Sequence, residues 1–341
     1  GNCKMGNMEI HEKIEEIKVS VYRMAVLPED DEVLEEANMH TQKIINLLDE
    51  IENILMEIPQ TAEEMKRCQY LKHLKDKEIN YSELCKNDFK FGSDLNVRDA
   101  CKMVRDTITS LVLNPQMPRL DKVTEMIHGL TKDPAFVSTI KEQTHSNADW
   151  FRTVLTCGKS ISCAFLEFSD VVAAILPEMK PCIGFDQKSI YHKHDVYEHT
   201  LAVVDGCQTD DFCTKMAAFL HDIGKPSVCT EDASGHRHFT GHATASEEIA
   251  KKILCRFEFS AEETRIILEL VEYHGMNLLA SEENVRAVME NSEEGFLQRW
   301  SKLRIADRND HVYPKDAVFE TNIEEILELA QNSQIVSKNN Y

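Results

Sequence analysis

The chain has 341 residues, of which 42% are hydrophobic, and a net charge of −21, so it can bury the core of one large or two medium domains. Only 12 glycines and 9 prolines are present, too few turn formers for a many-stranded barrel or sandwich, and an all-α protein is expected. Residues 1–113 hold 15 basic and 23 acidic side chains and the remainder 23 and 36, so neither part carries the clustered positive charge of an extended nucleic-acid footprint. A small phosphorylated ligand needs only one or two local cations and stays open.

Residues 9–113 read as amphipathic helices. Ile10, Ile14, Ile17 and Val21 form one helical stripe. Ile44, Leu47, Leu48, Ile51, Ile54, Leu55 and Ile58 form a longer one, ended by Pro59. Thr61 and Glu64 have the spacing of a capping box. Asp99 to Leu113 is a further helix, closed by Asn114-Pro115. The first third offers no catalytic constellation, and its helices are expected to pack, to form a homo-oligomer or to bind a partner. The prolines at 115 and 118 suggest a domain boundary, so the expected organisation is a helical domain over 1–114, a linking helical segment over 115–185 and a functional helical domain over 186–341.

The 11 cysteines include no Cys-x-x-Cys, which argues against a disulfide framework or a structural zinc site and for a reducing compartment. The longest apolar run, Val171 to Leu176, falls far short of the roughly 18–20 residues of a membrane span. No charged segment followed by an apolar one opens the chain, so a cytoplasmic protein with no membrane contact is expected.

Nine of the 14 histidines fall between His192 and His311. Buried histidine needs a partner, so such a cluster calls for a reason. Val196, His199, Thr200 and Val203 share a helical face, as do Ala217, Leu220 and His221, with Asp222 next in sequence. Ile267, Leu270, Val271 and His274 form a third inward stripe, and Phe296, Trp300, Leu303 and Asp307 a fourth. Any one histidine alone would be read as a buried group satisfied by a backbone carbonyl. A buried carboxylate together with three such histidines is better explained by a shared cation, which cancels the charge and takes the imidazole nitrogens as ligands.

A second group lies in His236-Arg237-His238-Phe239-Thr240-Gly241-His242, read as a loop between Gly235 and a helix starting near His242. A histidine at a helix N-terminus suits a metal or an anion. Gly224 is expected to end the helix carrying His221-Asp222, leaving Lys225 free to reach a phosphate.

His199, His221-Asp222 and Asp307, in that order, resemble the motif of the HD-domain metal-dependent phosphohydrolase superfamily. Ile175-Leu-Pro-Glu-Met179, Tyr191 to Thr200, Phe219 to Lys225 and Gly235 to His242 resemble more closely the C-terminal half of bacterial CCA-adding tRNA nucleotidyltransferases, over roughly residues 150–311. Those enzymes also carry a polymerase head with a Gly-Ser turn and an Asp-x-Asp pair. Gly92-Ser93 is present here without the pair, so CCA addition is not expected.

The resemblance implies a helical bundle in which His199, His221, Asp222 and Asp307 hold a divalent ion. His242 and His274 would hold a second, with Asp222 bridging. The donor set suits Mn, Fe, Co, Ni, Zn or Mg. Some relatives have paired histidines at the position of Tyr273-His274, and here there is one. Asp222 and Lys225 are the expected catalytic groups, and Lys225, Arg237 and His238 the expected contacts to a phosphorylated, nucleotide-like substrate. The implied activity is hydrolysis of a phosphomonoester or phosphodiester, of 2′,3′-cyclic phosphodiesterase or nucleotidase type. Two other readings stand beside it: a non-catalytic nucleotide sensor using the same site, and an RNA-binding remnant of a tRNA nucleotidyltransferase.

Overall fold

The computed structural model describes residues 96–116, 121–188, 193–311 and 317–339, with Lys43, Asn46 and Leu47. The stripes and capping box expected before residue 96 lie outside the described residues, apart from those three positions. By contact the chain divides into two units, 1–137 and 138–341. The second unit takes in most of the segment expected to be a link. Among the described residues the architecture is all-α, with one two-stranded ribbon.

In the first unit, α1 (Val97–Leu113) begins at Asn96, whose side chain accepts from the N–H groups of Arg98 and Asp99. These are two of the donors that a helix start leaves unpaired. Its buried stripe of Ala100, Cys101, Val104, Ile108 and Leu111 has the helical period. α2 (Asp121–Leu130) buries Val123, Ile127 and Leu130.

The second unit begins within α3 (Pro134–Glu142) and continues through α4 (Thr144–Cys157), α5 (Ser162–Phe165) and α6 (Ser169–Ile175). A 3₁₀ turn over Pro177–Cys182 follows. Then come α7 (Val196–Gly206), α8 (Phe212–Leu220) and the one-turn α9 (Lys225–Val228). After the ribbon of β1 (Thr230–Glu231) and β2 (Arg237–His238) come α10 (His242–Arg256), α11 (Ala261–Tyr273), α12 (Glu282–Asn291), α13 (Phe296–Asp310) and α14 (Ala317–Asn339).

The bundle is organised around α8. Every residue from Phe212 to Leu220 is buried, and α4, α7, α11 and α13 all pack against it. A helix apolar on all sides belongs in a core rather than on a surface. Lys215 is its one charged residue: its Nζ donates to Val204 O at 2.6 Å, near the C-terminal end of α7, where the helix dipole favours a cation. Aromatic rings fill the space between α4, α5 and α8, with Trp150 stacked on Phe165 at 5.4 Å and Phe151 against Phe219 at 5.5 Å. α7 is started by a full capping box of Asp195 and Glu198, and the second oxygen of Asp195 accepts from Gly184 N at 3.0 Å. That bond, with Val196 N to Phe185 O at 3.1 Å, ties the segment before α7 back on itself.

Candidate metal centre

Five elements bring the six expected metal-binding residues together. His199 lies within α7 and Asp307 within α13. His221 and His274 are the residues directly after α8 and α11, and His242 opens α10. His199, His221, Asp222, His274 and Asp307 are all buried.

Each imidazole is oriented from behind. The Nδ1–H of His221, His242 and His274 donates to the carbonyl three residues earlier, of Ala218, Phe239 and Val271, at 2.8, 2.9 and 2.7 Å. A carbonyl only accepts, so Nδ1 carries the proton and Nε2 presents its lone pair when the ring is neutral. His199 Nδ1 faces the Asp310 carboxylate at 2.8 Å.

The Nε2 atoms then converge in two pairs. His199 and His221 approach to 3.3 Å, and His242 and His274 to 3.2 Å. Asp222 stands between the pairs. Its Oδ2 is 3.4 Å from His199 and 3.2 Å from His221, and its Oδ1 is 3.5 Å from His242 and 3.9 Å from His274. Asp307 Oδ1 joins the first pair, 3.2 Å from His199 Nε2.

Two groupings of this kind could hold an ion among the described residues: His199, His221 and Asp222, and Asp222, His242 and His274. The fit is tested by Asp222 Oδ1, which is buried and makes no hydrogen bond. Leaving such an acceptor bare costs on the order of 1–3 kcal/mol, more for a charged group, unless something occupies it. An ion between Asp222 Oδ1 and the two facing imidazoles would.

Without an ion the groups compensate one another. Burial opposes charge on Asp222, but His221, Lys225 and His199 hold its carboxyl well below the usual range. Burial likewise opposes charge on His199, and Asp222, Asp307 and Asp310 raise it well above an ordinary histidine. Burial and the neighbouring His221 push His274 down to about 4.

Lys225 departs from expectation. The helix ends at Leu220 rather than Gly224, and the turn to Gly224 leads straight into α9. Lys225 is therefore buried, not a free terminal cation. Its Nζ lies 2.7 Å from Asp222 Oδ2 and donates to Gln187 Oε1 at 2.8 Å. Gly224 permits this path by its size: an added Cβ would stand 2.4 Å from Ser246 N and 2.7 Å from Ala245 C, both backbone atoms of α10. Its φ of −83° needs no glycine. Gly224→Ala is expected to push α10 and His242 away from Asp222, at a cost of about 1–3 kcal/mol or more. Thermal unfolding of the variant checks this, and an unchanged midpoint would contradict the close approach.

The expected loop at 236–242 is partly a hairpin, with Glu231 opposite Arg237 and Gly235 turning at φ +83°. The hairpin keeps Arg237 and His238 busy. Arg237 donates to Asp186 O, pairs with Glu231 at 3.5 Å and lies over the Phe185 ring at 4.7 Å. His238 Nε2 meets Asp232 at 2.9 Å. None of these contacts involves the six converging residues, whereas Phe239 lies 5.5 Å from Lys225 Nζ.

Four residues around the centre carried no assignment in the sequence. Asp310 backs His199, and Gln187 holds Lys225. His194 shares Asp310 at 3.0 Å, and the His311 ring lies 5.4 Å from that of His199. Asp310 stands three residues after Asp307, so a shared helical face was a signal for it. Gln187 has no such signal, because its partner is 38 residues away in sequence.

Residues 190–308 match the family model described as HD domain. Among curated proteins, an A-adding tRNA nucleotidyltransferase of Deinococcus radiodurans is 26% identical over 196 residues, 56% of this chain and 39% of the relative. A CC-adding tRNA nucleotidyltransferase of Thermus thermophilus is 29% identical over 128 residues, 36% of this chain and 29% of the relative. A bifunctional uridylyltransferase/uridylyl-removing enzyme of Cereibacter sphaeroides is 28% identical over 125 residues, 30% of this chain and 12% of the relative. The chain thus spans less than half the length of the curated relatives it matches. No helix among the described residues is long and apolar enough to cross a membrane. Residues 190–308, which include all six converging residues, are thus similar to an HD domain.

Proposed function

We propose that this HD domain is a metal-dependent phosphohydrolase acting on a phosphomonoester or phosphodiester of a small nucleotide-like substrate, with 2′,3′-cyclic phosphodiesterase and nucleotidase chemistry the first to test. The observation that carries the reading is Asp222, a buried carboxylate with one oxygen facing each of two imidazole pairs. His199, His221, Asp222 and Asp307 would hold one divalent ion, and Asp222, His242 and His274 a second. When bound, such ions make water nucleophilic near neutral pH and draw charge from a phosphoryl group.

The chain's own groups do the rest. The carbonyls of Ala218, Phe239 and Val271 hold three imidazoles in the tautomer that offers Nε2. Lys225 keeps one positive charge against Asp222, where negative charge builds up on a phosphoryl oxygen during attack. Arg237 and His238, on the hairpin beside Phe239, are placed to meet the more distant part of a substrate only if they give up Glu231, Asp186 or Asp232.

The test is a screen of the full chain with manganese, cobalt, nickel, zinc or magnesium against 2′,3′-cyclic nucleotides, nucleoside monophosphates and dinucleotides. Release of phosphate, or opening of the cyclic diester, is the expected result. Tight nucleotide and metal binding without turnover would instead mark a sensor.

A further inference from the structure

We infer that Asp310 is a positioning residue of the metal centre, fixing His199 for its ion although Asp310 itself stands outside the ligand set. This rests on the reading of the six converging residues as metal-binding.

Asp310 is buried at the end of α13, one helical turn beyond Asp307. Its Oδ2 receives His199 Nδ1 at 2.8 Å and His194 Nδ1 at 3.0 Å, and Lys193 Nζ lies 3.6 Å from its Oδ1. His199 differs here from the other three imidazoles of the centre. Each of those is oriented by a carbonyl of its own helix end or turn, three residues back. His199 lies inside α7, where the carbonyls before it are taken up by the helix, so a group from another element must orient its ring. Asp310 supplies that group, and as a carboxylate it also makes the imidazole more basic toward a cation than a carbonyl would. One helix thus delivers both a ligand, Asp307, and the support of a second ligand, His199.

His194 provides the internal control. It meets the same oxygen at 3.0 Å with its side chain a third exposed, and among the described residues its side chain makes no hydrogen bond or ion pair with the six converging residues. If Asp310 mattered only by anchoring the segment before α7, removing His194 would do similar damage. If it matters by orienting His199, removing His194 would leave the metal centre as it was.

The experiment titrates cobalt(II) into the metal-free full chain and follows both affinity and the visible ligand-field spectrum, which reports coordination geometry without any substrate. Asp310→Asn keeps the shape and loses the charge, and its cobalt affinity is expected to fall about 10–100-fold with an altered spectrum. His194→Ala is expected to match the parent in both. Should Asp310→Asn fail to fold, Asp310→Glu serves, with the same shift expected because the longer side chain displaces the acceptor. Parent-like affinity and spectrum in the folded Asp310 variant would overturn this inference alone. A parent that binds no cobalt would overturn both the inference and the metal-centre reading.

Discussion

Asp222→Ala is expected to lose the retained metal and all hydrolysis together. Among the described residues Asp222 alone belongs to both groupings, so its removal opens each at once. The measurement is metal content after gel filtration, alongside turnover on the best substrate from the screen. Asp222→Asn separates shape from charge and should lose most of the affinity while keeping the side-chain volume. A variant that holds metal as tightly as the parent would show the constellation to be wrongly assigned.

Acidification should imitate that loss through His199. Its pKa in the metal-free protein is raised well above an ordinary histidine, so protons compete with metal at this residue even near neutral pH. His274, held at about 4, offers no such competition. Metal affinity should therefore rise with pH through the neutral range. The metal-free protein should show the opposite trend from this group: a raised folded pKa contributes stability that is fully present below the ordinary histidine value and is lost as pH rises through the folded value. Titrations of affinity and of unfolding midpoint against pH check both signs.

Lys225→Met is expected to destabilise the metal-free protein by roughly 3–5 kcal/mol, because it leaves the buried Asp222 carboxylate without its ammonium partner. Saturating metal should recover much of that, since the ions supply replacement charge. Loaded with metal, the variant should still lose on the order of 10² in kcat/KM if the ammonium stabilises the developing phosphoryl charge. Equal kcat/KM at equal metal content would confine Lys225 to the stability of the site.

The inward placement of the six converging residues was legible in the sequence for a simple reason. Val196, His199 and Val203, or Phe296, Trp300 and Asp307, sit on apolar stripes, and a polar group in such a stripe is buried wherever the helix packs. His242 was readable from the glycine and helix start beside it. The surroundings of Lys225 were not readable. A buried, paired lysine and a solvated one look alike in sequence, and the difference here is made by Gln187 and by α10 closing over Gly224. The ribbon was missed because two residues per strand leave no alternation to detect. Asp310 was passed over because the fourth stripe was followed only as far as Asp307 and not one turn further along the same helix.

The complete burial of α8 has one further consequence, for the way the molecule breathes. His221 and Asp222 hang from the end of a helix enclosed by four others, so their amides can exchange with solvent only when the bundle opens as a whole. The hairpin leading to His242 is mostly exposed and joined by two residue pairs, so its opening is expected to cost less free energy than that of the bundle. The two groupings share the buried Asp222, and of the six residues only His242 is half-buried. Opening of the hairpin would therefore reach the site first at His242, while Asp222 and His274 stay enclosed with His199 and His221.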